Sequence, residues 1–172
     1  MVANVATADG SFTHSVAYSP DGTLVAAGHG NGTVALVDSG SASSILAFQA
    51  HSAAVPIRGI SFSPTSDLIA TAADDALVRV FDVRSGTVVH SLVGHRAMAV
   101  CVAFAASGSH IVSGGGDGTA ICWDWRQREA AHTFALNTEF CWDVCFSPDG
   151  RVVAAVTDNG ALTILSIAKN GS

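Results

Sequence analysis

Gly94-His95, Ile111-Val112-Ser113-Gly114, Asp117-Gly118-Thr119 and Cys122-Trp123-Asp124 decide how this chain folds. Within residues 94–124 an apolar run meets a Gly-rich turn carrying an acid, and a second apolar run ends in an aromatic and an acid. That pattern predicts two short strands joined by a tight turn. Working outward, the same marks return throughout the chain. The aromatic that closes each short apolar run falls at Tyr18, Phe62, Phe104 and Phe146, at spacings of 44, 42 and 42. The acid or amide of the following turn falls at Asn31, Asp75, Asp117 and Asn159 with the same spacings. A third marker keeps that register: Val37-Asp38, Phe81-Asp82, Trp123-Asp124 and Leu165-Ser166.

Each unit reads as strands. Val16 and Tyr18 alternate with small or polar residues, and Ser19-Pro20-Asp21-Gly22 is a turn in which proline presets φ. Residues 24–28 and 33–38 are the next two strands, joined by His29-Gly30-Asn31-Gly32, and residues 44–50 are a fourth. Such a four-stranded unit cannot bury both faces alone, so it must stack on copies of itself. The composition agrees. Of 172 residues only 13% are charged, and mean hydropathy is +0.41. Eight Lys and Arg against fourteen Asp and Glu give a net charge of −6 with scattered cations, which argues against a phosphate-binding face.

The uncharged stretch 97–116 is long enough to span a bilayer, but its Ser107-Gly108-Ser109-His110 and Gly114-Gly115-Gly116 are turn chemistry. No signal peptide is legible, so a soluble intracellular protein is expected. Cys101, Cys122, Cys141 and Cys145 form no C-x-x-C pair and no metal spacing with the histidines. Core thiols are the expectation for Cys141 and Cys145. His14, His29, His90, His110 and His132 are expected at the surface or in turns.

The quoted motifs resemble those of the WD-repeat β-propeller family, over nearly the whole chain. The resemblance implies an all-β propeller of four-stranded antiparallel blades. It gives one domain over 1–172, with units at about 11–51, 52–95, 96–137 and 138–168 and a further outer strand within 1–10. It also implies a structural hydrogen-bond network of Asp117, His95, Ser113 and Trp123, with a near-copy at His51, Thr71 and Asp75. Serine, histidine and aspartate are the residue types of nucleophilic catalysis. Their repetition in tandem favours a structural role, and no enzyme and no cofactor are expected. Gly114-Gly115-Gly116-Asp117-Gly118 lacks the lysine and the following helix of a phosphate loop.

By the same resemblance, the residues six and four before the strand aromatics lie on the top rim around the central channel. These are Phe12, Pro56, Met98 and Phe140, then His14, Arg58, Val100 and Trp142. Phe12, Met98, Phe140 and Trp142 are expected to make an apolar arc that binds short peptide segments of other subunits. Phe12, His14, Pro56, Arg58, Met98, Phe140 and Trp142 form the candidate partner site, with Arg58 pairing with an acid or carbonyl. Phe81-Asp82-Val83-Arg84 and Trp123-Asp124-Trp125-Arg126 resemble the W-D-x-R box of receptors of cullin–RING ubiquitin ligases, an alternative role resting on Arg84 and Arg126.

Val55-Pro56-Ile57-Arg58-Gly59-Ile60-Ser61-Phe62-Ser63-Pro64 resembles a segment of the WD-repeat subunits of the Ski (superkiller) complex, and the chain matches their C-terminal four blades. That resemblance implies a non-catalytic scaffold serving exosome-mediated mRNA decay and the Paf transcription-elongation complex, in cytoplasm and nucleus. Those propellers have seven blades. Four blades of that shape leave an open arc with exposed apolar faces and a route to self-association.

Overall fold

Alternating apolar residues, interrupted by Asp, Asn, Ser and Gly turns, fold the described residues into short strands. The structure is a computed structural model that describes residues 10–167. The outer strand expected within 1–10 lies outside the described residues but for Gly10. Among the described residues there are fifteen strands in four antiparallel sheets, three of four strands and the last of three.

The first sheet contains β1 (Thr13–Tyr18), β2 (Leu24–His29), β3 (Thr33–Asp38) and β4 (Ser44–Gln49). The second contains β5 (Ile57–Phe62), β6 (Leu68–Ala73), β7 (Leu77–Asp82) and β8 (Val88–Val93). The third is β9 (Ala99–Phe104), β10 (Ile111–Gly115), β11 (Thr119–Asp124) and β12 (Glu129–Ala135). The fourth is β13 (Cys141–Phe146), β14 (Val152–Thr157) and β15 (Leu162–Ser166). Strands pair in chain order within each sheet. A register shift recurs near the start of every first strand, at Thr13/Ser15, Ile57/Gly59, Gly114/Gly115 opposite Ala99, and Cys141/Asp143.

Four sheets stacked side by side enclose three apolar layers. Val34, Leu36, Ile60, Phe62, Ile69 and Phe81 fill the first, between the first two sheets. Val78, Val80, Leu92, Ile111, Ile121 and Trp123 fill the second. Cys101, Val112, Ala120, Val144 and Val153 fill the third, with Phe146 and Leu165 packed against them. The first strands carry the stacking: β1 packs on β5, β5 on β9 and β9 on β13, with no comparable packing of β13 back on β1. The result is an arc of four blades with two free ends. Each inner blade is buried on both faces, which explains the low charge of the chain. No helix among the described residues is long and apolar enough to cross a membrane.

Two expectations are corrected. His29 is buried, because it lies in β2 and its Nδ1 is 3.0 Å from the Thr13 hydroxyl on β1. Cys145 is exposed rather than a core thiol, since Val144 and Phe146 take the buried face of β13 and leave it on the opposite, uncovered face. Cys101, Cys122 and Cys141 are buried, and burial pushes the Cys122 thiol up to about 11.

Candidate functional site: a buried network and a top rim

The turn acid or amide does the same local work in all four blades. The side-chain oxygen of Asn31, Asp75, Asp117 or Asn159 accepts the backbone N–H two residues later, at Thr33, Leu77, Thr119 or Ala161, over 3.0 to 3.2 Å. This is the Asx turn that lets a short polar side chain stand in for a backbone partner. Amide and acid serve it equally.

The two acids go on to hold a histidine. His95 Nδ1 lies 3.2 Å from each Asp117 oxygen, its Nε2 lies 2.7 Å from the Ser113 hydroxyl, and Trp123 Nε1–H donates to that hydroxyl at 2.8 Å. In the preceding blade His51 Nδ1 sits 2.9 Å from Asp75, and Nε2 sits 2.8 Å from the Thr71 hydroxyl. The proton count follows from these partners. Nδ1–H donates to the carboxylate, the neutral Nε2 accepts the hydroxyl proton, and the hydroxyl oxygen of Ser113 accepts from Trp123. His95 lies in the link between β8 and β9 and Asp117 in the β10–β11 turn, so the network ties a blade-to-blade connection to that turn.

The order Asp–His–Ser resembles an acyl-transfer relay, but its surroundings oppose one. Ser113 has 0% exposure and its oxygen is already occupied by the Trp123 indole, so no carbonyl reaches it. Burial depresses both imidazoles below the ordinary value of 6.5, with the neighbouring carboxylates opposing it only in part. Burial also works against the charged form of Asp117, but the Arg96 N–H at 2.7 Å, the Thr119 hydroxyl and His95 together hold it below 3.8.

A pH dependence follows. The unfolded chain binds more protons than the folded one once pH falls below 6.5, because both histidines titrate lower when folded. Their contribution to stability is complete above 6.5 and lost as pH falls through the folded values. The melting temperature is expected to fall from about pH 7.5 to about pH 5. The double variant His51→Gln, His95→Gln should melt lower at neutral pH with a shallower slope. A wild-type melting temperature that is flat or rises on acidification contradicts the neutral assignment.

The rim is equally periodic. The carbonyls of Phe12, Pro56, Met98 and Phe140 accept N–H bonds from Gly30, Asp74, Gly116 and Asp158 at 2.8, 3.1, 2.8 and 3.2 Å. Those donors open the tight turns after the second strand of each blade, so all four candidates occupy equivalent positions at one end of the stack. They do not form one continuous arc. Phe140 and Trp142 stack with centroids 4.7 Å apart and planes 25° apart. A Cβ on Gly116 would lie 3.1 Å from Met98 Cγ and 3.1 Å from Phe140 Cζ, which places Met98 beside the pair. Phe12, 82% exposed, and His14 stand in the first blade, two blades from Met98 and three from the stacked pair. Pro56 and Arg58 lie between.

Arg58 is not an unengaged cation. Its Nε and Nη2 donate to the two oxygens of Asp74 at 2.8 Å each, a bidentate pair that fixes the guanidinium. Asp74 was not among the candidates, although its place beside Asp75 put it at the turn next to Arg58. Asp158 was missed likewise, and its carboxylate accepts the Thr138 hydroxyl. Trp142 is 54% exposed, which sets it apart from the core. Arg84 and Arg126 are exposed and follow the third strands, so they sit at the opposite end of the blades. Arg126 lies 4.4 Å from the Trp125 ring centroid and donates to the Gly108 carbonyl at 3.2 Å. Among the described residues, no group of three or more His, Cys, Asp or Glu is placed to hold a metal ion.

Comparison with known proteins agrees with this architecture. Residues 3–115 match the family described as nucleolar protein 10-like, N-terminal domain, and residues 129–164 match the WD domain, G-beta repeat. WD repeat-containing protein SL1-17 of Schistosoma mansoni is 36% identical over 161 residues, 93% of this chain and 52% of that protein. Transcription initiation factor TFIID subunit 5 of Caenorhabditis elegans is 35% identical over 109 residues, 63% of this chain and 17% of that protein. Transcription factor unc-37 of the same organism is 30% identical over 148 residues, 85% and 23% of the two chains. The chain therefore spans about half the length of the first of these relatives and less of the others. The sheet order, the periodic turns and these matches make the chain a member of the WD-repeat β-propeller family described as nucleolar protein 10-like, N-terminal domain.

Proposed function

We propose that this protein is a non-catalytic interaction scaffold whose top rim binds short extended segments of partner proteins. The observation that carries this reading is the Met98, Phe140 and Trp142 cluster. An aromatic pair stacked at the rim with a methionine beside it, rather than in the layers between blades, is the material of binding hot spots. Phe12 and His14 offer a second contact point in the first blade, a span suited to an extended segment. Arg58, held by Asp74 through Nε and Nη2, keeps further N–H donors for a carbonyl or acid. The likeness to WD-repeat proteins, among them subunits and factors of transcription, supports a protein-interaction role and a nuclear setting.

The finer reading, association with Ski-type mRNA decay assemblies and with the Paf complex in cytoplasm and nucleus, rests on residues 55–64 and is proposed on that ground. The test is capture of purified Ski-type partner subunits by the chain and its variants. Trp142→Ala with Phe140→Ala is expected to cost about 2 kcal/mol or more, roughly a thirty-fold loss of affinity. Arg84→Ala with Arg126→Ala should leave capture unchanged. Unaltered capture by the aromatic variant, with an unaltered melting temperature, refutes the rim assignment.

A further inference from the structure

Two buried thiols meet where the third blade packs on the fourth. Cys101 on β9 and Cys141 on β13 are 7% and 0% exposed. A Cβ on Gly114 would lie 2.6 Å from the Cys141 Sγ and 2.7 Å from the Cys101 Sγ. Both sulfurs therefore border the space that a side chain at Gly114 would fill, and Cys101 pairs with Gly114 across β9 and β10. Cys101 Sγ is also 4.0 Å from the Cys141 carbonyl oxygen. The pair lies inside the stack, in the layer with Val112, Ala120 and Val144, so it does not depend on the free ends.

The register places equivalent residues in the other two interfaces. Ser15 pairs with Gly28, Gly59 with Ala72 and Cys101 with Gly114. At Gly28 the side chains that border the space are those of Ser15 and Ile57, 2.6 and 2.7 Å from the position of a Cβ. In the second interface Gly59 and Ala99 take those places beside Ala72. Packing at this point is thus met by a hydroxyl with an aliphatic side chain, or by a methyl, and does not call for sulfur. Among the described residues, the third interface alone sets two groups there that can be joined covalently. A hydrogen bond from the Cys101 thiol holds Cys141 below the ordinary thiol value of 9.0, and the Cys101 proton is held more tightly in return. Cys141 is thereby the nucleophile of the pair and Cys101 its resolving thiol.

We propose that Cys101 and Cys141 are a modification site, which a peroxide joins in a reversible disulfide that clasps the third blade to the fourth. The Cys141 thiolate attacks one peroxide oxygen, the O–O bond breaks, and hydroxide leaves and takes up the proton that Cys141 gave, as water. The Cys101 sulfur then attacks the sulfenic sulfur of Cys141. The S–O bond breaks, hydroxide leaves with the Cys101 proton as a second water, and the S–S bond forms. Two thiols have lost two hydrogen atoms, which the peroxide has gained. A molecule as small as peroxide reaches the pair through local opening of the blade contact. The bond joins residues 40 apart in the chain, and closing a loop of that length restricts the unfolded state. Cys141 stands between Phe140 and Trp142, so the clasp also fixes the strand entry that carries the stacked pair.

The experiment treats the folded 172-residue chain with hydrogen peroxide at neutral pH, alongside Cys145→Ser, which lacks the exposed thiol. Intact mass, a non-reduced digest and a thermal melt are read before and after addition of dithiothreitol. Both chains are expected to yield a peptide pair joining Cys101 to Cys141. The Cys145→Ser chain should lose the mass of two hydrogens and melt roughly 5–10 °C higher. Dithiothreitol should reverse each change. Cys101→Ser and Cys141→Ser should each abolish the link and the shift in melting temperature. Oxygen adducts at Cys141 without a link overturn the proposal, as does a link to Cys122 or Cys145 instead, or one that forms only in the unfolded chain. The link is mapped in the parent, so a serine variant that fails to fold leaves the test decisive. Rim variants leave this readout unmoved, so its failure is distinct from failure of the peptide-binding role.

Discussion

Trp123→Ala is expected to destabilise the fold by about 3–5 kcal/mol, the range for removing a fully enclosed large aromatic. Trp123 is among the largest fully buried side chains, and its ring packs in the layer between the second and third blades with Val78, Val80, Leu92 and Ile111. The six-membered ring also fills the space over Gly94, where an added Cβ would sit 2.7 Å from it. Two losses combine. The cavity cannot collapse, because rigid strands wall it on both sides. The Ser113 hydroxyl also loses its indole donor while remaining buried beside His95. Trp123→Phe separates the terms, since it keeps most of the packing and removes the hydrogen bond, and should cost about 1–2 kcal/mol. The difference is read from urea melts at neutral pH. A Trp123→Ala chain within about 1 kcal/mol of the parent would show that the layer repacks, contrary to the close packing of interiors.

The fold was legible in the sequence because its cause is periodic. A blade needs an aromatic at the end of its first strand, an Asx turn between its second and third, and apolar residues on both faces. All three leave marks at fixed spacing. The His95 network was legible through the family resemblance, residue by residue, since each member falls at a motif position.

The rim was legible only in part. Counting back from the strand aromatics locates Phe12, Pro56, Met98 and Phe140 at equivalent positions, but spacing says nothing of what each side chain meets. That Phe140 stacks on Trp142, or that Asp74 takes Nε and Nη2 of Arg58, depends on rotamers and on neighbours one turn away. His29 misleads for a related reason. A histidine next to Gly30-Asn31 reads as turn, yet the strand runs through it and turns it toward Thr13. Cys145 misleads because alternation fixes that it opposes Val144 but not which face of the last blade is covered. The exposed ends raise the same difficulty: Val16 and Ile60 are indistinguishable as sequence, and only the position of their blades in the stack separates them.

Gly118→Ala and Ala76→Gly, at equivalent positions one repeat apart, should act in opposite directions. Both residues follow the turn acid and both adopt left-handed backbone, with φ of 67° at Gly118 and 65° at Ala76. That conformation costs an L-residue roughly 1–2 kcal/mol, which glycine escapes. At Gly118 a Cβ would in addition lie 1.8 Å from the Thr138 carbonyl oxygen and 2.9 Å from its carbon, a backbone neighbour that cannot swing away. The Leu136 N–H donates to the Gly118 carbonyl at 2.9 Å, so the turn cannot shift without breaking the entry to the fourth blade. Gly118→Ala is therefore expected to lose about 3 kcal/mol or more, combining strain with a clash. At Ala76 the Cβ is already accommodated and only the backbone strain remains. Removing it, less the greater freedom of glycine in the unfolded chain, should gain about 0.5–1 kcal/mol. Melting temperatures of the two variants check the pair together. A loss at both positions would mean that Ala76 contributes packing that outweighs its strain, and a small loss at Gly118 would mean that the turn and residue 138 move as one.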